Sequence, residues 1–80
     1  MRIARLSNSN IYIYGGLAEH PPPHCHLVGP NSRCSIDLLT LDVTKGHARR
    51  SDLVEAVEWL SDARNHAFAV SEWRRLNERE

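Results

Sequence analysis

An α+β fold is what this 80-residue sequence predicts, and three observations predict it. Residues 1–46 form short runs of β-forming and alternating side chains between turn-forming clusters. From Ser51 onward, apolar side chains recur at helical spacing. The change falls near Gly46, so strands come first and helices second. That order favours an antiparallel sheet of about five short strands (residues 1–46), followed by two helices (about 51–64 and 66–77) packed on one face. So short a chain buries little more than ~60% of its unfolded surface, so a single domain over 1–80 is expected. Its core supplies only ~3–5 kcal/mol, and a partner or homo-oligomer is expected to add stability.

The first two strands are Met1–Leu6 and Asn10–Tyr14, a hairpin around polar Ser7-Asn8-Ser9 that ends at Gly15-Gly16. Next, His24–Val28 and Arg33–Leu38 flank Gly29-Pro30-Asn31-Ser32, the chemistry of a four-residue hairpin loop. A fifth strand runs from about Leu41 to Lys45 and closes at Gly46. If Val28 pairs with Arg33, then Leu27 faces Cys34, His26 faces Ser35, Cys25 faces Ile36 and His24 faces Asp37. This register gathers Cys25, Leu27, Cys34, Ile36 and Leu38 on an apolar side, and His24, His26, Arg33, Ser35 and Asp37 on a polar one. A one-residue slip would mix the two. The cysteines then read as small buried hydrophobes, with a diagonal separation of ~7–8 Å that does not favour a disulfide. Neither belongs to a C-x-x-C or to a structural zinc spacing.

The first helix starts with Ser51 as N-cap and with Asp52 and Glu55 in its first turn. Its apolar stripe is Leu53, Ala56, Val57, Leu60 and Ala63. Asn65-His66 reads as the break. Ala69, Val70, Trp73 and Leu76 then mark the second helix, and the tail Glu78-Arg79-Glu80 is expected to fray. Trp59 and Trp73 are read as core or helix–helix contacts.

Composition excludes several classes of function. The net charge is zero, which argues against a uniformly basic nucleic-acid surface. The charge is uneven, however. Residues 1–50 carry Arg2, Arg5, Arg33, Lys45, Arg49 and Arg50 against Glu19, Asp37 and Asp42, whereas residues 51–80 carry four arginines against seven acids. An anionic partner, nucleic acid included, therefore fits the first half better than the second. No apolar run approaches the ~18 residues of a membrane span, and Ile11–Tyr14 is too short for a signal peptide. A cytoplasmic protein with no membrane association is expected.

The segment richest in chemistry is Glu19-His20-Pro21-Pro22-Pro23-His24-Cys25-His26. In an extended strand His24 and His26 present two imidazoles on one face. His20 is separated from His24 by ~12 Å of polyproline helix, and joins them only through a turn or a cis X–Pro bond. Asp37, opposite His24, is the expected third group. His24, His26 and Asp37 suit a two-His-one-carboxylate divalent-metal site with open positions, or a His–Asp acid/base pair. They equally suit a hydrogen-bonded face that orders the hairpin, or a surface that binds an anion or partner. No cofactor beyond such a metal is expected.

His20-x-Pro22-Pro23-His24-x-His26, Ser35-Ile36-Asp37, Gly46, and then Leu53, Glu58 and Trp59 resemble the domain-of-unknown-function 4160 family of small bacterial proteins. The resemblance runs without a gap from about His20 to Trp59, and more loosely to Trp73. Pro21 stands where that family usually has an acid, Cys25 where it has an aromatic residue, and Leu41 near a usual turn glycine. The resemblance implies membership in a two-gene module of the toxin–antitoxin or regulatory kind, with a partner encoded by the neighbouring gene. It brings no established catalytic activity. The expected function is a non-enzymatic binding module acting through His20, His24, His26, Arg33 and Asp37, helped by Arg49 and Arg50. The alternative is a small hydrolase or nuclease toxin that uses His24 and His26 for acid/base or metal-assisted chemistry, with Arg33 on phosphate.

Overall fold

Alternating polar and apolar side chains can bury only one face of a sheet, and the chain folds accordingly. The computed structural model describes residues 1–16 and 19–77. Its strands are β1 (Arg2–Arg5), β2 (Asn10–Tyr12), β3 (His24–Gly29), β4 (Ser32–Asp37) and β5 (Val43–His47). They form one sheet in chain order, with every neighbouring pair antiparallel. Helices α1 (Arg50–Ser61) and α2 (Ala63–Asn77) follow. The core joins Ile11, Cys25, Leu27, Cys34, Ile36 and Leu38 of the sheet side to Ala56, Leu60, Ala69 and Trp73 of the helices. The α+β reading is correct.

The β3–β4 register is the expected one from His24↔Asp37 to Val28↔Arg33. Pairing continues to Gly29↔Ser32, so Pro30-Asn31 alone form the loop rather than the four residues anticipated. The fifth strand begins and ends two residues later than anticipated. Asp37 is the cause. Its Oδ1 accepts from the N–H groups of Leu39 (2.7 Å) and Thr40 (3.2 Å), and its carbonyl accepts from Leu41 N–H (2.7 Å). This side-chain turn holds residues 38–42 out of the ladder. Gly46, anticipated as the strand's end, lies within β5 at φ 87°, where an added Cβ would overlap the Arg33 carbonyl oxygen.

The helix boundaries also move. α1 starts at Arg50, and Arg49 occupies its N-cap position without a side-chain bond, where Ser51 was expected. The capping hydroxyl comes from the sheet instead: Ser32 Oγ accepts from Arg49 N–H (2.9 Å) and donates to buried Asp52 (2.6 Å). The break falls at Asp62, three residues before Asn65, because Asp62 Oδ1 accepts from the N–H groups of Arg64 and Asn65 as an N-cap. Ala63, counted in the first stripe, is consequently the exposed first residue of α2. His66 reaches back to the Leu38 carbonyl. The tail 78–80, expected to fray, lies outside the described residues.

Two stability predictions follow from these turns. Leu41 sits at φ 62°, a left-handed conformation costing a side chain ~1–2 kcal/mol, while packing partly against the core. Leu41→Ala loses packing and keeps the strain, whereas Leu41→Gly loses both, so the glycine variant should be the more stable by about 1 kcal/mol in urea unfolding. The reverse order would contradict the turn. Ser32→Ala strips Asp52 and Arg49 N–H of a partner together, and should cost ~1–3 kcal/mol by the same measurement. A loss below ~0.5 kcal/mol, typical of a surface substitution, would show that the hydroxyl does not couple hairpin to helix.

Candidate functional site

Because strand neighbours alternate faces, the register that buries Cys25 turns His24 and His26 away from the core. The same register aligns a row across the sheet: Tyr12 lies opposite His26, His26 opposite Ser35, and Ser35 opposite Lys45. Rings pack along this face. Tyr12 stacks on Tyr14 (5.8 Å between centroids), Tyr14 lies 4.7 Å from His26, and His26 meets His24 edge-on at 5.1 Å. On its other side His24 lies 6.3 Å from Trp73, which connects the site to the core through α2.

The carboxylate of the site comes from ahead of the prolines. The chain bends at Pro21 and Pro22, whose linking peptide is cis, and Glu19 lies against both imidazoles. Glu19 Oε2 is 2.7 Å from His24 Nε2, and Oε1 is 3.1 Å from His26 Nε2. These side chains are only 15–22% exposed. His24 Nδ1 donates to the Pro22 carbonyl (2.9 Å), while His26 Nδ1 faces the Ser35 hydroxyl at 3.5 Å. Glu19 was part of the segment singled out in the sequence, but polyproline geometry gave no reason to expect its return.

A cavity of about 420 Å³ opens beside this cluster, bounded also by His20, Asp37 and Lys45. Burial pushes His26 below its ordinary value of 6.5; the Glu19 carboxylate opposes that shift, and the His24 and Lys45 charges add to it. The result is a mixed-charge pocket in which burial disfavours the charged form of His26 and Lys45 places a cation beside it. His20 is exposed at the rim, outside the Glu19–His24–His26 cluster. Asp37 faces the cavity wall, yet the described bonds of its carboxylate are those of the turn. Arg33 lines an adjoining hollow of about 300 Å³ with Tyr14, His26 and Lys45. Arg49 and Arg50 are not brought to the site. They lie beyond the Ser32 end of the hairpin, five residues of strand, or ~16 Å, from His24, and line a separate hollow. Lys45 was missed because the sequence assigned the fifth strand no pairing register, and only the pairing Ser35↔Lys45 puts it beside the histidines.

The depressed His26 value fixes a sign. The folded state holds fewer protons on His26 than the unfolded chain does, so this stabilisation is complete above about pH 6.5 and is lost as pH falls through the window below it. In chelator-treated buffer, the urea midpoint of His26→Gln should therefore fall less than that of wild type between pH 7 and pH 5. Parallel curves would contradict it.

Neither the curated proteins nor the solved structures include a significant match to this chain. A family model does match, over residues 9–74, a span that runs from β2 through most of α2 and includes the whole His-bearing face. With the site and most of the core inside that span, the chain belongs to the domain of unknown function (DUF4160) family.

Proposed function

We propose that the chain is a small binding module, one component of a two-gene pair of the toxin–antitoxin or regulatory kind. In this reading it docks the protein encoded by its neighbouring gene on the polar face of the sheet. One observation carries the reading: charged and aromatic side chains are already held in place around a cavity of about 420 Å³, on the face turned away from the core. Groups fixed before binding lose little entropy when a partner arrives. The cavity also abuts β5, which ends the strand order and exposes all five of its residues. An arriving segment therefore meets backbone pairing groups and polar side chains together. Lys45 and Arg33 favour an acidic segment there.

A second reading, a His-based hydrolase or nuclease toxin, is favoured by Glu19 lying against two imidazoles beside Lys45. One imidazole would take a proton from the nucleophile and the other give one to the leaving group, with Lys45 and Arg33 on phosphate.

Expressing the chain in bacteria, alone and with its neighbouring gene, separates the two. The binding module predicts no growth defect and a stoichiometric complex, weakened at least ~10-fold by His24→Ala with His26→Ala. Growth arrest that disappears in the double variant would favour the hydrolase. A complex of unchanged affinity in that variant would remove the His face from the interface.

A further inference from the structure

We propose that Glu19, His24 and His26 form a binding site for a single divalent transition-metal ion, with Glu19 rather than Asp37 as the carboxylate ligand. This goes beyond the docking reading and does not depend on it. One atom from each side chain can be chosen so that all three lie within 4.8 Å of one another. Ions bound at ~2.0–2.2 Å hold their ligand atoms ~3.0–3.5 Å apart. Glu19 meets that range with a different oxygen on each side, Oε2 at 2.7 Å from His24 Nε2 and Oε1 at 3.1 Å from His26 Nε2, so an ion would use both oxygens or draw one of them between the imidazoles by side-chain shifts within that 4.8 Å span.

The outer contacts point the same way. The Pro22 carbonyl can only accept, so His24 Nδ1 carries a proton, and Nε2 is the ring nitrogen directed at the carboxylate. A backbone carbonyl on the far nitrogen is the arrangement that orients metal-bound histidines. His26 repeats it in weaker form, with Ser35 Oγ beside Nδ1 and Nε2 turned to Glu19. Two imidazole nitrogens and a carboxylate aimed at one another call for a positive charge among them, either a proton or a metal ion.

Ligand chemistry restricts the ion. Two imidazoles and one carboxylate suit zinc, nickel, iron(II) or manganese better than magnesium or calcium, which prefer all-oxygen shells. No thiolate competes. Cys25, between the two histidines in sequence, points into the core, where burial and Cys34 push its thiol up to about 12. Three protein ligands leave positions open toward the cavity for water or a partner's side chain. The charged and titratable groups around the ion would be His20 at the rim, Asp37 from β4 and Lys45 from β5. Lys45 opposes a cation, while the negative charge of Asp37, held in its turn at the cavity wall, favours one.

The test is calorimetric titration of zinc or nickel chloride into the chelator-treated full chain, with cobalt absorption reporting geometry. One equivalent should bind at about pH 7.5, and binding should weaken at about pH 5.5 as the imidazoles take protons. Glu19→Gln, which leaves the core untouched, and His26→Gln should each lower affinity at least ~10-fold. Asp37→Asn should leave it within ~3-fold, and Lys45→Gln should raise it. Absence of stoichiometric uptake, or uptake unchanged by Glu19→Gln in a variant whose circular dichroism matches wild type, would overturn the site. If metal binding fails while the neighbouring gene's product is still captured, only this inference falls, not the docking reading.

Discussion

The register of the β3–β4 hairpin is the constraint from which the rest of the structure follows. With side chains alternating between faces, one choice of pairing decides both what is buried and what is displayed. Pairing His24 with Asp37 and Val28 with Arg33 sends Cys25, Leu27, Cys34 and Ile36 into the core. The same choice turns His24 and His26 outward. A slip by one residue would turn one strand over against the other, either burying His24 and His26 while exposing Leu27 or burying Asp37 while exposing Ile36. Core and site are thus two faces of one hydrophobic decision. The helices lock it, because Ser32 at the hairpin's tip gives its hydroxyl to the start of α1.

Asp37 and Glu19 show how position decides the role of a carboxylate. Asp37 ends β4 where the chain must turn, and backbone N–H groups claim its side chain. That turn frees Leu41 to take a left-handed conformation and delays β5, which in turn brings Lys45 level with Ser35. Glu19 precedes a stretch of prolines, which offer no N–H groups to hold its side chain in a turn as the backbone holds Asp37. It meets the imidazoles instead. A carboxylate engaged by the backbone is a structural part, whereas one engaged by two imidazoles is a chemical one.

Electrostatically the site is tense. Partial burial favours neutral His26, the Glu19 carboxylate favours its charged form, and Lys45 and His24 press against that charge. Burial prevails among these opposing influences, and the occupancy of a proton, an ion or an acidic partner there depends on the balance of its neighbours. The packed rings of Tyr14, His26, His24 and Trp73 hold these groups in position and connect them to α2.

Much of this was legible in the residues themselves. Alternation and helical period are local properties enforced by burial, so the fold class, the hairpin register, the apolar stripe and the outward pair His24 and His26 could be read without coordinates. Boundaries were less legible, since Asp37, Asp62 and Ser32 act through hydrogen bonds that stop or start an element without altering its pattern. The composition of the site was legible only in part. Lys45 depends on how the fifth strand pairs with the fourth, and Arg49 and Arg50 depend on which end of the hairpin meets α1. Glu19 depends on the path of a proline segment that no periodicity describes. The sequence by itself determined which face would carry chemistry, because burying hydrophobic residues leaves one choice of face. Tertiary structure alone decided which charged groups gather there, because bringing together residues distant in the chain depends on turns and packing that local pattern does not encode.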